Sequence, residues 1–177
     1  MQNGSRRNFL GRLGAAAALT AGAPALLAAE EGLQQPAHSN HHVQNGVFYF
    51  YGTGANDGYP DNDQVTVTDP FEKHARRTME ALKKTLESHG CTIDSILQLN
   101  VFLCLPLSES TPLPTGKARF EAYQARYETL NGIYHPYFGH GQAPARACMG
   151  VDWIPGNSLI EMAGCARIVN ASASSGD

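Results

Sequence analysis

The sequence predicts one small domain in which strands and helices mix, in the order β-β-α-β-α-β-β. Three observations predict it. A capped amphipathic helix opens at Asp69. The run from Ile96 to Leu105 is apolar on both faces, as a doubly covered strand requires. Two further strand-like runs, 145–151 and 159–168, follow a second helical stretch.

Taken in order, residues 30–45 are polar and read as an N-terminal loop segment. Val47-Phe48-Tyr49-Phe50-Tyr51 is a dense run of β-formers, ended by Gly52-Thr53-Gly54. Residues 54–63 hold Gly, Asn, Asp and Pro and read as a loop, and Gln64 to Thr68 as a short strand. Asp69 then serves as N-cap, Pro70 as the first helical residue, and Glu72 completes a capping box. Phe71, Ala75, Thr78, Met79, Leu82 and Leu86 recur at helical spacing, and Gly90 supplies the stop. Lys73, Arg76, Arg77, Lys83 and Lys84 make the opposite, solvated face. After the 96–105 strand comes a loop, then a helix over 117–130 with Phe120, Tyr123, Tyr127 and Leu130 on one core-facing stripe. Residues 131–143 read as irregular. The last two strands join through a turn at Pro155-Gly156-Asn157, and 170–177 reads as a disordered polar tail.

The composition narrows the function. With 177 residues and 42% hydrophobic content, the chain can bury a core and is not a disordered polymer. A net charge of -3 and a pI near 6.1 exclude the basic footprint of a general nucleic-acid binder. Four Cys are too few for a disulfide scaffold, and none stands at zinc-finger spacing.

The N-terminus, Ser5-Arg6-Arg7-Asn8-Phe9-Leu10, resembles the twin-arginine export motif. The uncharged, Ala-rich run from Leu13 to Ala29 is weakly apolar and interrupted by Gly22 and Pro24, which suits a signal peptide better than a stable membrane anchor. Residues 1–29 are therefore expected to be a twin-arginine signal peptide, cleaved after Ala29 or after Ala25. The twin-arginine export machinery would deliver a folded chain to the periplasm or beyond. Disulfides among Cys91, Cys104, Cys148 and Cys165 are permitted there, but buried small hydrophobes are the favoured reading. Without residues 1–29 the chain holds 10 Lys and Arg against 16 Asp and Glu.

Chemistry concentrates near the C-terminus. Arg146 lies among small and apolar neighbours, and alternation puts Arg146 and Cys148 on one face. A half-buried guanidinium needs a partner, and its fork suits a carboxylate. Glu161, between Ile160 and Met162, is a carboxylate in an apolar strand and must be paired or shifted in pKa. Two readings follow, a plain Arg146–Glu161 ion pair or a site. His38, His41, His42, His135 and His140 invite a metal reading, but no acidic ligand stands at a fixed offset from them, and no metal is expected.

Pro144-Ala145-Arg146-x-Cys148, followed by Pro155 and Ile160-Glu161-Met162, resembles the signature of the Rid/YjgF family, the reactive intermediate deaminases. Gly46 to Gly52, Thr78 to Gly90, Cys91 to Ile96 and Leu99 to Leu103 resemble its earlier elements, so the likeness covers roughly residues 40–168. It implies an α+β, chorismate-mutase-like fold, a mixed sheet with two helices packed on one face. It also implies a homotrimer with sites in clefts between subunits. The implied activity is hydrolysis of small carboxylated enamines or imines, made by pyridoxal-phosphate enzymes, to 2-ketoacids and ammonia. It needs no cofactor. By matching position, Arg146 would clamp the substrate carboxylate and Glu161 would position or activate water. Cys148 would line the pocket, and the Gly52 backbone would contact substrate. Tyr51 stands where the family often has Ser, and His38-Ser39-Asn40-His41-His42 where it commonly has Gly-Pro-Tyr. The Rid-like domain would span 46–169 with an insertion around 106–143. Asn131, Tyr134 and Phe138 match the letters of a family helix, but Gly132 and Pro136 are poor helix residues, so an enlarged loop over 131–143 is expected. A binding protein that keeps the Arg clamp without hydrolysis is the alternative. The acidic balance disfavours a ribonuclease.

Overall fold

The computed structural model describes residues 41–107, 112–139, 141 and 143–169. The expected signal peptide and cleavage site, His38, His140 and residues 170–177 lie outside the described residues. All described residues belong to the second of two units, His38–Asp177.

Five strands form one mixed sheet: β1 (His41–Gln44), β2 (Val47–Gly54), β3 (Ile96–Cys104), β4 (Ala145–Val151) and β5 (Ile160–Arg167), in the order β1-β2-β5-β3-β4. Among the described strands only β3 and β4 pair in parallel. Two helices, α1 (Phe71–Ser88) and α2 (Gly116–Tyr134), cover one face. Alternation decides which face. Phe48 and Phe50 of β2, Leu99, Val101 and Leu103 of β3, and Ile160, Met162 and Ala166 of β5 lie in register. They share one buried cluster with Met79, Leu82 and Leu86 of α1 and with Leu130, Ile133 and Tyr134 of α2. The opposite face, with Tyr49, Asn100, Phe102, Ala147, Glu161, Ala163 and Cys165, is covered by no described element.

α1 forms where its periodicity places it, and Gly90 (φ 71°) ends it. The N–H groups of Cys91 and Gly90 bond back to the carbonyls of Leu86 (2.9 Å) and Glu87 (3.2 Å), the Schellman pattern. Its start differs from expectation. Asp69 is not the N-cap: the helix begins after Pro70, and the Asp69 carboxylate accepts from the Thr66 N–H (2.8 Å) and Lys73 (2.9 Å) instead. These hydrogen bonds hold the Asp69 carboxyl at a pKa of about 2. Glu72 pairs with Arg76 rather than with the helix end.

Five other expectations change. Residues 41–44 are a strand, because Asn45 (φ 52°) and Gly46 (φ 74°) make a two-residue turn that folds β1 onto β2. Residues 64–68 are not a strand; the Asn56 side chain takes both backbone groups of buried Val65, which leaves nothing for a neighbouring strand to pair. α2 runs past residue 130 to Tyr134 and continues into a 3-10 turn, His135–Tyr137. Burial of Ile133, Tyr134 and Phe138 outweighs the roughly 1 kcal/mol that Gly132 costs, and Pro136 sits in a first turn where no donor is needed. The aromatic stripe of α2 is not core throughout, since Phe120 is 68% and Tyr127 41% exposed. Finally, β4 and β5 are no hairpin. β3 lies between them, and α2 makes the crossover that a parallel β3–β4 pair requires.

His74 of α1 ties the loops together. It is fully buried; its Nδ1 accepts the Leu159 N–H at 3.2 Å, and its Nε2 faces the Thr66 carbonyl at 3.1 Å. Burial holds its pKa below 6.5. A depressed folded-state pKa contributes stability above the unfolded value that is lost as pH falls. Urea midpoints should therefore drop on acidification below roughly pH 6.5. His74→Leu should flatten that drop and cost about 1–3 kcal/mol by orphaning the Leu159 N–H.

Candidate functional site

The fold separates the site residues into two groups. Arg146 and Cys148 lie on edge strand β4, opposite Leu99 and Val101, so both face the helices as alternation predicts. Asn131 Oδ1 accepts from Arg146 Nη2 at 2.6 Å. The guanidinium carbon stands 4.4 Å from the Tyr134 ring centroid and 5.3 Å from that of Tyr127. Each such cation–ring contact contributes about 0.5–2 kcal/mol. The Nη1 of Arg146 is buried without a hydrogen-bond partner among the described residues. The head group is thus oriented by one helix, with part of its donor capacity unspent. Cys148 is half-buried, and burial pushes its thiol pKa up, against the opposing pull of Arg146. A protonated thiol there is a wall of the site rather than a nucleophile. Beside it lies a cavity of about 450 Å³ lined by Leu103, Phe120, Tyr123, Tyr127, Cys148 and Met149, among others.

The second group surrounds Glu161 on β5. Glu161 pairs in register with Phe102 and Gly54, on the uncovered face. A β-bulge in β2 takes Tyr51 and Gly52 out of the ladder. Gly52 has φ 65°, and a Cβ there would lie 3.8 Å from the Glu161 carboxyl carbon, so the backbone angle rather than space calls for glycine. Tyr51 beside it is 56% exposed. Ser158 pins the neighbouring chain ends, accepting the Ala55 N–H (3.1 Å) and donating to the Ile160 carbonyl (2.6 Å). Burial raises the Glu161 pKa above 4.5, and the Asp57 charge raises it further. Asp57 itself holds the Gly54 N–H at 2.7 Å.

Within one chain the two groups cannot share a small substrate. Arg146 and Glu161 point to opposite faces, two strands apart, which is about 10 Å across the sheet, and three residues out of register. The plain Arg146–Glu161 ion pair is not formed. Sequence reasoning found Arg146, Cys148, Glu161 and Gly52 but missed Asn131, Tyr127, Tyr134 and Asp57. The Asn131/Tyr134/Phe138 letter match was the available signal, and it was outweighed by Gly132 and Pro136. Among the histidines, His41 packs against His89 and Phe48, with centroids 4.6 and 6.0 Å away. All four cysteines are unpaired.

No family model matches the chain. Solved structures do. The chain is similar to YyfA of Yersinia pestis, a protein of unknown function of the conserved Rid family, at 23% identity and a TM-score of 0.57, over 75% of this chain and 89% of that one. It is similar to yeast Mmf1 at 23% identity and a TM-score of 0.54, over 75% and 87%. RidA from an Antarctic Psychrobacter shares 19% identity at a TM-score of 0.54, over 75% and 89%. The chain has the fold of these proteins, a five-stranded mixed sheet under two helices.

Proposed function

We propose that this chain is an exported Rid/YjgF-type hydrolase that works as a homotrimer. It converts small carboxylated imines or enamines to 2-ketoacids and ammonia at clefts between subunits. The observation that carries this reading is the split geometry. An oriented guanidinium on the helix face of an edge strand and a pKa-raised carboxyl on the bare sheet face can meet one substrate only if two copies supply them. The RidA-like fold supports the same reading, and export rests on the Arg6-Arg7 motif.

In this scheme Arg146 of one copy holds the substrate carboxylate, oriented by Asn131. Glu161 of another copy takes a proton from water as the oxygen attacks the imine carbon. The C–N bond then breaks, and the proton leaves with ammonia. A carboxyl whose pKa is raised toward neutrality can both accept and return that proton. Holding both reactants in place supplies much of the acceleration.

The test is ammonia release from 2-iminobutanoate generated in solution by an amino-acid-cleaving enzyme. Release above the spontaneous rate is expected. One observation favours a second reading, that of a non-catalytic carboxylate-binding trimer: Arg146 is already bonded to Asn131 and flanked by two rings. Thermal shifts with 2-ketobutanoate but no ammonia release would select it.

A further inference from the structure

The cavity beside Cys148 has a size and lining that the proposed reaction does not by itself require. About 450 Å³ exceeds what a methyl or ethyl substituent fills, since a cavity of about 150 Å³ already takes a benzene ring. Its walls are mostly apolar, with Gln124 and Glu128 the polar members, and partly rigid. The Tyr123 ring lies flat enough against β4 that a Cβ on Gly150 would come within 2.9 Å of it. The Tyr123 hydroxyl is fixed by donating to the Val151 carbonyl at 2.6 Å. Leu103 and Cys148 line the strand side, while Phe120 (68% exposed) and Tyr127 (41%) leave the mouth open.

Arg146 does not line the cavity but stands next to its Tyr127 wall. Tyr127 is shared, lining the cavity and flanking Arg146 with its ring centroid 5.3 Å from the guanidinium carbon. Cys148 follows Arg146 by two residues on the same face, about 6.6 Å along the strand. That is the length of a side chain of four or so heavy atoms. A molecule with its carboxylate at Arg146 would direct an apolar substituent at its second carbon into this cavity.

We infer that the substrate is a 2-imino acid bearing a large apolar side chain, branched or aromatic, seated between Phe120, Tyr123 and Tyr127. The inference rests on the proposed imine hydrolysis and names its substrate class. The balanced step is addition of one water to the C=N carbon and loss of one ammonia, leaving an aryl- or branched-alkyl 2-ketoacid. The class of reaction that supplies such a substrate is oxidation of a large apolar amino acid at its α-carbon.

Imines made in solution from phenylalanine and from alanine by an L-amino-acid oxidase, with semicarbazide trapping, give kcat/KM for each. Wild type should prefer the phenylalanine-derived imine by about tenfold or more, the scale of discrimination an apolar pocket supplies. Gln124→Trp, a substitution of an exposed helix residue at the cavity rim, should lower that ratio severalfold. Calorimetry with phenylpyruvate and pyruvate gives a second, turnover-free readout, with phenylpyruvate bound at least tenfold more tightly. Hydrolysis of both imines with equal efficiency, and a ratio unmoved by Gln124→Trp, overturns the substrate class but not the reaction. Hydrolysis of neither overturns the reaction, and the ketoacid affinities then decide the pocket. Equal ketoacid affinities, together with a change of oligomeric state in Gln124→Trp, would mean that a second copy fills the cavity and would also overturn the inference.

Discussion

Co-expressed Arg146→Ala and Glu161→Gln chains should regain ammonia release that neither variant has alone. Arg146→Ala removes the carboxylate clamp and should lower kcat/KM by about a hundredfold or more, the scale of losing a hydrogen-bonded charge partner in a closed site. Glu161→Gln keeps the shape but cannot move a proton, and general acid–base groups contribute about 10²–10⁴. If one chain supplied both groups, mixing would restore nothing. The register forbids that, because Arg146 lies on the helix face of β4 and Glu161 on the bare face of β5. In a cyclic assembly with random mixing, about one site in four combines an intact Arg146 with an intact Glu161. About a quarter of wild-type activity should therefore return. No recovery in assemblies shown by mass spectrometry to be mixed would overturn the split site.

The same carboxyl fixes the pH dependence. Burial raises the Glu161 pKa above 4.5 and the Asp57 charge adds to it. The base form needed for water activation therefore appears only above the usual carboxylate range, and the acid limb of kcat/KM should sit correspondingly high. Asp57→Asn removes the second cause, so its limb should move to lower pH. Glu161→Gln should abolish the limb along with the activity.

How much of this was legible in the sequence depends on whether a signal is local. α1 was legible because Ala75, Thr78, Met79, Leu82 and Leu86 repeat at the helix period and Gly90 stops it. The pairing of Arg146 and Cys148 on one face was legible because strand alternation is local. The face that Glu161 shares was not, because it depends on β3 entering the sheet between β4 and β5, a choice no local pattern encodes. β1 was missed because His41-His42-Val43-Gln44 is mostly polar and buries no residue, though Asn45-Gly46 carried the turn signal. The last turn of α2 was missed because propensity spoke against Gly132 and Pro136 while burial of Ile133 and Tyr134 decided the outcome. That turn carries Asn131, so the same misreading hid the residue that orients Arg146.

Gly164→Ala should leave little soluble, folded protein, whereas Gly52→Ala should fold with a loss of about 1–2 kcal/mol. The two glycines are needed for different reasons. At Gly52 the surroundings are open, the nearest atom to an added Cβ being 3.8 Å away, and only the φ of 65° opposes a side chain. At Gly164 the φ is ordinary, but a Cβ would lie 2.2 Å from the Gln98 carbonyl oxygen and 3.0 Å from the Phe50 ring. Gln98 lies at the bulge where β3 joins β5, so its carbonyl cannot retreat without breaking the ladder on either side. Overpacking against side chains costs about 1–3 kcal/mol, and a clash with backbone in a central strand exceeds that range. A second-site change separates the two contacts. Phe50→Leu relieves the ring but not the carbonyl, so the Gly164→Ala/Phe50→Leu pair should remain unfolded. Recovery of the urea midpoint in that pair would mean that the ring, and not the approach of β3, makes Gly164 necessary. The approach matters for the site as well, because the same β3–β5 register that brings Gln98 onto Gly164 sets Phe102 opposite Glu161.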